Sequence, residues 1–298
     1  MKQSPIVFAL FGSDHLAHAI HQELGYDIGK ITLHQFPDEE VAINIESLVE
    51  DRDAILIANL EYPNSKLLPI LFAAETVREL GAKKIGLIAP YLPYMRQDKQ
   101  FQLGESITSK YFAKLISTYF EGLLTIDPHL HRWHSLNDIY SIPAKALHAI
   151  EPISSWIKIN VPNAILIGPD IESTQWVSEI AKKTDSPFLI LEKIRKGDRL
   201  VEVSIPTIGL YQNHTPVLVD DIISTAATMI ETINHLKSLK MKAPICIGVH
   251  ALFSGNAYDD LLKAGPDKIV TCNTIVHASN EIDLKDLMIQ SIDTMFNA

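Results

Sequence analysis

Residues 217 to 229 read Val217-Leu218-Val219-Asp220-Asp221-Ile222-Ile223-Ser224-Thr225-Ala226-Ala227-Thr228-Met229. Three apolar residues form a buried strand, Asp220 and Asp221 end it, and a loop of small and hydroxyl residues leads into a helix that opens near Thr228. A loop at the C-terminal end of a strand, feeding a helix N-terminus, turns several unpaired backbone N–H groups toward one point, which suits a phosphate group. Ser224, Thr225 and Thr228 add hydroxyl donors, and Ala226 and Ala227 carry nothing bulky that would hold an anion off. The two carboxylates repel phosphate, so their natural partners are sugar hydroxyls or a hydrated magnesium ion. The segment therefore reads as a sugar-phosphate site, with the diol at one end and the phosphate at the other. Taken alone, Asp-Asp before Ser or Thr is usually a strand end and a helix cap; the weight rests on the whole pattern.

The same strand-then-helix rhythm extends in both directions. Short apolar runs at Ile6–Phe11, Val41–Ile45, Ala54–Asn59, Lys84–Pro90, Leu123–Asp127, Ala164–Gly168, Phe188–Glu192, Val217–Asp220, Pro244–His250 and Lys268–Cys272 predict strands. Helical spacing predicts helices over Asp14–Leu24, Leu67–Leu80, Thr108–Tyr119, Ser173–Lys183, Thr228–Leu239 and Ala257–Ala264, the second stopped by Gly81. Alternation of this kind means an α/β fold of parallel sheets covered by helices. The rhythm restarts at Ala164 after a segment with Pro152 and Pro162, which divides the chain into halves 1–150 and 151–298, although Glu151–Ile159 could itself be helical.

The bulk numbers narrow the function. At 298 residues the chain has room for two domains, each with its own core. No apolar run approaches the roughly 18–20 residues that span a bilayer, and Met1-Lys2-Gln3-Ser4-Pro5 leads straight into a strand with no cleavage site, as at a domain start. A net charge of −10 argues against nucleic acid as the main partner. An acidic protein that binds phosphates must concentrate its cations locally and recruit a metal ion. Cys246 and Cys272 lie in separate apolar segments and read as buried free thiols, which fits a reducing cytoplasm. A dinucleotide-binding G-x-G-x-x-G after a strand and a Walker-type Gly-x4-Gly-Lys-Ser/Thr are both absent from the sequence.

The Val217–Met229 pattern resembles the phosphoribosyl-binding signature shared by type I phosphoribosyltransferases and ribose-phosphate diphosphokinases. Many relatives carry aspartate at the Ser224 position, and most carry glycine at Ala227, often with another at Ala226. A Cβ at a position of positive φ, or one facing a phosphate, costs about 1 kcal/mol or more. Five further segments are similar to the diphosphokinase family in order and spacing, from about Phe11 to Thr274. Phe36-Pro37-Asp38-Glu39-Glu40 resembles its adenine-contacting loop, and Arg96-Gln97-Asp98-Lys99 its ATP-holding run. Asp127-Pro128-His129 resembles the acid-x-His at a strand end, where the histidine meets nucleotide phosphates and metal. His131 and His134, close behind, read as loop histidines, since zinc needs about four well-placed ligands and no cysteine is near. Gly168-Pro169-Asp170 resembles a second metal-contacting aspartate, with Ile171-Glu172-Ser173 where relatives have His-Gly-Gly. Lys193-Ile194-Arg195-Lys196-Gly197-Asp198 resembles the catalytic loop.

The resemblance implies two similar phosphoribosyltransferase-type domains, an ATP-binding first half and a ribose-phosphate-binding second half. It implies ATP at Phe36, Asp38, Glu40, Arg96 and Gln97, and the sugar phosphate at Asp220, Asp221, Ser224, Thr225, Ala226, Ala227 and Thr228. Mg2+ falls beside His129 and Asp170, and Lys193, Arg195 and His129 become the catalytic groups. ATP and ribose 5-phosphate are the implied substrates, and a homo-oligomer built on dimers is the implied assembly, the aromatic loop reaching a neighbouring subunit. The rival readings are a salvage phosphoribosyltransferase, which consumes the activated sugar, and a non-catalytic relative that binds nucleotide or sugar phosphate and regulates a partner.

Overall fold

Runs such as Ile6–Leu10, Ala54–Ala58 and Ala164–Gly168 are apolar at both alternations, so neither face of such a strand can meet water. They become the central strands of parallel sheets. We describe the fold from a computed structural model covering residues 4–130, 132–168, 173–196, 200–204 and 208–296. Two compact units emerge: Met1–Leu147 with Lys285–Ala298, and His148–Leu284.

The first unit runs β1 (Ile6–Leu10), α1 (Asp14–Leu24), β2 (Asp27–Ile28), β3 (Ile31–Gln35), β4 (Val41–Ile45), β5 (Asp53–Ala58), α2 (Leu67–Glu79), β6 (Lys84–Ala89), α3 (Thr108–Tyr119), β7 (Gly122–Ile126) and β8 (Ala144–Leu147). Six strands form a parallel sheet in the order β2-β1-β5-β6-β7-β8, and β3 with β4 makes a separate antiparallel hairpin. α1 turns its buried Leu16, Ala17, Ala19 and Ile20 inward and stops at Gly25, which takes the left-handed φ of 69° that a side chain resists.

The second unit runs α4 (Ile150–Asn160), β9 (Ala164–Gly168), α5 (Thr174–Thr184), β10 (Phe188–Ile190), β11 (Glu192–Lys196), β12 (Leu200–Ser204), β13 (Thr215–Ile223), α6 (Ala227–Ser238), β14 (Ile245–Ala251), α7 (Ala257–Ala264), β15 (Lys268–Cys272) and β16 (Asn280–Ile282). Its six-stranded parallel sheet has the order β10-β9-β13-β14-β15-β16, and β11 with β12 makes a separate antiparallel hairpin. The two units thus repeat one plan. In each, a first strand and helix lead to an edge strand, then a hairpin, then a strand that returns to the first strand's other side. Both thiols are buried and free, and burial pushes that of Cys246 up to about 12.

Glu151–Ile159, which the sequence leaves open between linker and helix, is helical, within α4. Several elements differ from the expected ones. Phe188–Glu192 is two strands, because the chain leaves the sheet after Ile190 to enter the hairpin. Asp220 and Asp221 do not end their strand: β13 runs on to Ile223, with Asp220 opposite Gly248 and Ile223 opposite Ala251. A cut near residue 150 assigns the C-terminal residues to the second half, whereas α8 (Lys285–Ile292) and the turn after it belong to the first unit.

The reason is a notch over β6 and β7. A Cβ on Gly122 would lie 2.7 Å from the carbonyl oxygen of Met295, and one on Gly86 would lie 2.3 Å from its sulfur. Met295 fills the notch and is 1% exposed. The Tyr26 hydroxyl donates to Asp293 at 2.7 Å, and the Lys84 ammonium lies 5.4 Å from the centre of the Phe296 ring. We expect Gly122→Ala to destabilise the protein by about 1–3 kcal/mol, the usual range for overpacking, because main chain must move. Urea unfolding checks this, and an unchanged midpoint contradicts it.

Candidate active site

In an open parallel sheet, ligands bind beyond the carboxyl ends of the strands where the strand order reverses. In the second unit that point lies between β9 and β13, since the chain goes from β9 to β10 on one side and to β13 on the other. The described pairing of β13 with β9 ends at Leu218 opposite Ile167, while its pairing with β14 continues to Ile223. Asp220 and Asp221 therefore sit just past the last described pairing with β9, both half-buried. The N–H of Asp221 donates to the carboxylate of Asp220 at 2.9 Å.

Beyond them the loop is tied to its neighbour. Ile223 and Ser224 accept through their carbonyls from the N–H groups of Phe253 and Ser254, at 2.9 and 3.0 Å, and the Ser224 and Ser254 hydroxyls lie 3.1 Å apart. Ala226 caps α6 in the left-handed region, at φ 58° and ψ 8°, with no side-chain cap bond. Its carbonyl accepts the first helical bond, from Ile230 at 2.9 Å. The first-turn amides of a helix have no intrahelical acceptor, and here they open beside exposed Thr225 and Ala227 and half-buried Thr228. Beneath the loop the core is nearly closed, with a void of about 10 Å³ among Leu218, Val219, Thr228 and Met229. The first unit carries no acid pair in the same place: β5 is followed by Asn59, and the Lys66 ammonium donates to the Asn59 carbonyl at 2.8 Å and pairs with Glu61 at 2.7 Å.

The positive φ falls on Ala226, the first of the two alanines. A non-glycine residue there costs about 1–2 kcal/mol, and glycine gives back about 0.5–1 kcal/mol through the freer unfolded chain. We expect Ala226→Gly to stabilise the protein by about 0.5–1 kcal/mol. Chemical denaturation measures this, and a lower midpoint would rule it out.

The loop after β14 is backed by rings. Phe253, Tyr258 and His277 contact one another at 4.6 to 5.0 Å, and Nδ1 of His277 accepts from the Ser279 N–H at 3.1 Å. Burial lowers the His277 pKa below its ordinary 6.5. A lowered histidine favours the neutral form when folded, so its contribution is present above pH 6.5 and is lost as the pH falls from there toward the folded value. The stability difference between wild type and His277→Gln should therefore shrink between pH 7 and pH 5; a difference that holds constant argues against it.

Lys193 and Arg195 lie on β11, opposite Val203 and Val201 of β12, and so in a hairpin strand where a loop was expected. Asp170, with Pro169, Ile171 and Glu172, falls outside the described residues, as does His131. In the first unit, the loop between β6 and α3 carries exposed Arg96 and half-buried Gln97, and the next strand, β7, leads through Asp127 to half-buried His129. The Gln97 amide donates to Glu105 at 3.2 Å, and the same carboxylate oxygen accepts from the N–H groups of Phe101 and Gln102 at 2.9 and 3.0 Å. Asp98 and Arg132 join this loop to the one after β7 by an ion pair of 2.8 Å. Phe36, Asp38 and Glu40 occupy the β3–β4 hairpin tip, closed by the Phe36 N–H on the Glu40 carbonyl at 2.8 Å, with Phe36 43% exposed. Neither the Asp98–Arg132 pair nor the organising role of Glu105 was read from the sequence. An arginine within a histidine-rich run and an acid beside the nucleotide motif were the available signals. Among the described residues, no three His, Cys, Asp or Glu side chains converge as a metal-holding group, and no helix is long and apolar enough to cross a membrane.

Known proteins carry the same arrangement along the chain. A family model described as the N-terminal domain of ribose phosphate pyrophosphokinase matches residues 6–119, and one described as a phosphoribosyl transferase domain matches residues 135–286. A ribose-phosphate pyrophosphokinase of Saccharolobus solfataricus is 30% identical over 276 residues, covering 91% of this chain and 93% of that protein. One of Sulfolobus acidocaldarius is 32% identical over 263 residues, covering 87% and 89%. The crystal structure of phosphoribosylpyrophosphate synthetase from Mycobacterium smegmatis superposes with a TM-score of 0.86 over 99% of both chains at 21% identity, the same fold. With two family domains in order and relatives similar nearly end to end, this chain belongs to the ribose-phosphate pyrophosphokinase family.

Proposed function

We propose that the protein is a ribose-phosphate diphosphokinase, which moves the diphosphoryl group of ATP to the C1 hydroxyl of ribose 5-phosphate and releases AMP. One observation carries the reading: the strand-borne pair Asp220–Asp221 runs through a small-residue loop into the N-terminus of α6, which has no side-chain cap, at the point where the sheet order reverses. The amides and hydroxyls of Ser224 to Thr228 take the 5-phosphate, and the acids take the ribose hydroxyls. The C1 oxygen attacks the β-phosphorus in line as the bond from that phosphorus to the AMP oxygen breaks, and the hydroxyl proton passes to solvent. Little covalent chemistry is asked of the protein, so positioning and charge stabilisation do the catalysis.

Phe36, Asp38, Glu40, Arg96 and Gln97 hold the nucleotide from the first half, and Lys193 and Arg195 neutralise charge on the transferred group. Magnesium takes oxygen ligands and usually arrives with substrate phosphates and one or two carboxylates. A half-buried aspartate pair suits such an ion, and His129 and Asp170 are assigned beside it. When bound, it offsets negative charge on the phosphates. The assembly is built on dimers, and two buried reduced thiols suit the cytoplasm.

The test is direct: incubate the purified protein with ATP, magnesium and ribose 5-phosphate and follow AMP. AMP that depends on the sugar supports the reading. Pyrophosphate release from the activated sugar and a base, without ATP, would replace it by the salvage transferase. Ala226, which holds a Cβ at positive φ in the phosphate loop, is the observation that favours a non-catalytic regulatory relative, for which ligand binding without AMP would speak.

A further inference from the structure

Asp98 is 4% exposed, and among the described residues its carboxylate has one partner for two oxygens. Oδ1 accepts from Nη1 of Arg132 at 2.8 Å, whereas Oδ2 is buried with no hydrogen-bond partner among the described residues. Arg132, 40% exposed at its side chain, also lies 5.6 Å from the centre of the Phe101 ring, over which the Lys99 ammonium sits at 4.9 Å. One guanidinium thus grips both ends of the run Asp98–Phe101. Glu105 pins the same loop as well, through the Gln97 amide and the N–H groups of Phe101 and Gln102. Met95, 1% exposed, roots the loop in the core just before Arg96.

We propose that Arg132 is a positioning residue for nucleotide binding: by compensating the buried Asp98 carboxylate, it holds the adjoining Arg96 and Gln97 where ATP meets them. The proposal deepens the diphosphokinase reading and rests on it for the identity of the nucleotide. A buried charge that loses its partner is strongly destabilising in place. Without Arg132, Asp98 must swing toward water, and that shift drags Gln97 and Arg96 with it. Arg132 acts through Asp98, not by touching the phosphates, and that distinction is measurable.

The experiment is isothermal titration of MgATP, and separately of ribose 5-phosphate, into full-length wild type, R132M, D98N and the D98N/R132M double variant. R132M should bind ATP at least tenfold more weakly, with ribose 5-phosphate affinity within twofold of wild type. The double variant should bind ATP at least threefold more tightly than R132M, because no charge is left stranded. ATP affinity in R132M within twofold of wild type overturns the proposal, as does an equal loss in the D98N background, which would make Arg132 a direct phosphate contact. If R132M does not melt cooperatively, the double variant carries the test: it must fold and bind ATP at least threefold more weakly than wild type, and wild-type affinity overturns the idea. Wild type that binds no ATP overturns it too. AMP formation is followed in parallel, so that ATP binding without turnover counts against the enzyme reading while leaving the positioning role tested on its own.

Discussion

Replacing Lys193 by alanine is expected to lower turnover at least a hundredfold while leaving ATP binding largely intact. Phosphoryl transfer gains most of its rate from charges set in advance around the migrating group. Removing one such preorganised contact typically costs about 3–4 kcal/mol, or 10² to 10³ in rate. Lys193 lies on a paired strand, opposite Val203, with Arg195 two places on, opposite Val201. A backbone paired in a ladder has less freedom than an open loop, which is what preorganisation requires. The ground-state nucleotide is assigned to Arg96, Gln97 and the Phe36 hairpin in the other unit, so its affinity should change little. Steady-state AMP release and an ATP titration measure the two quantities. Undiminished turnover removes Lys193 from the mechanism.

The second large effect is expected at the acid pair. Asp221→Ala should raise the KM for ribose 5-phosphate about 10- to 150-fold, the equivalent of one hydrogen bond to a charged group at about 1.5–3 kcal/mol, and leave the KM for ATP near its starting value. Asp221→Asn keeps the shape and part of the bonding and should fall between. Both aspartates are half-buried on a strand that pairs onward to Ala251, so the loop's frame survives the change. An unaltered sugar KM would mean that the acids face something other than the ribose.

What the sequence revealed follows burial. The central strands β1, β5, β6, β7, β9, β13, β14 and β15 are buried on both faces and declare themselves as unbroken apolar runs. β3 is mostly exposed, β16 is short and β8 mixes a lysine into its alternation, and these edge and hairpin strands carry no such signature. The β11–β12 hairpin was hidden by composition: Glu192-Lys193-Ile194-Arg195-Lys196 reads as a solvated turn, and only pairing across to Leu200–Ser204 makes it a strand. At the site, the phosphate loop was legible because its pattern is local. The strain on Ala226, rather than Ala227, depends on where α6 begins, and the Asp98–Arg132 pair joins residues 34 positions apart, which no local pattern encodes.

The tail seated over Gly86 and Gly122 has a consequence for how the protein comes into being. Strands β6 and β7 lie in the first half of the chain, yet the side chain that closes over them belongs to Met295. At about 5–20 residues per second of synthesis, roughly seven to thirty seconds separate the emergence of Leu147 from that of Met295. Throughout that interval the nascent first unit holds β6 and β7 without the side chain that covers Gly86 and Gly122, and its last contacts wait for the end of the chain.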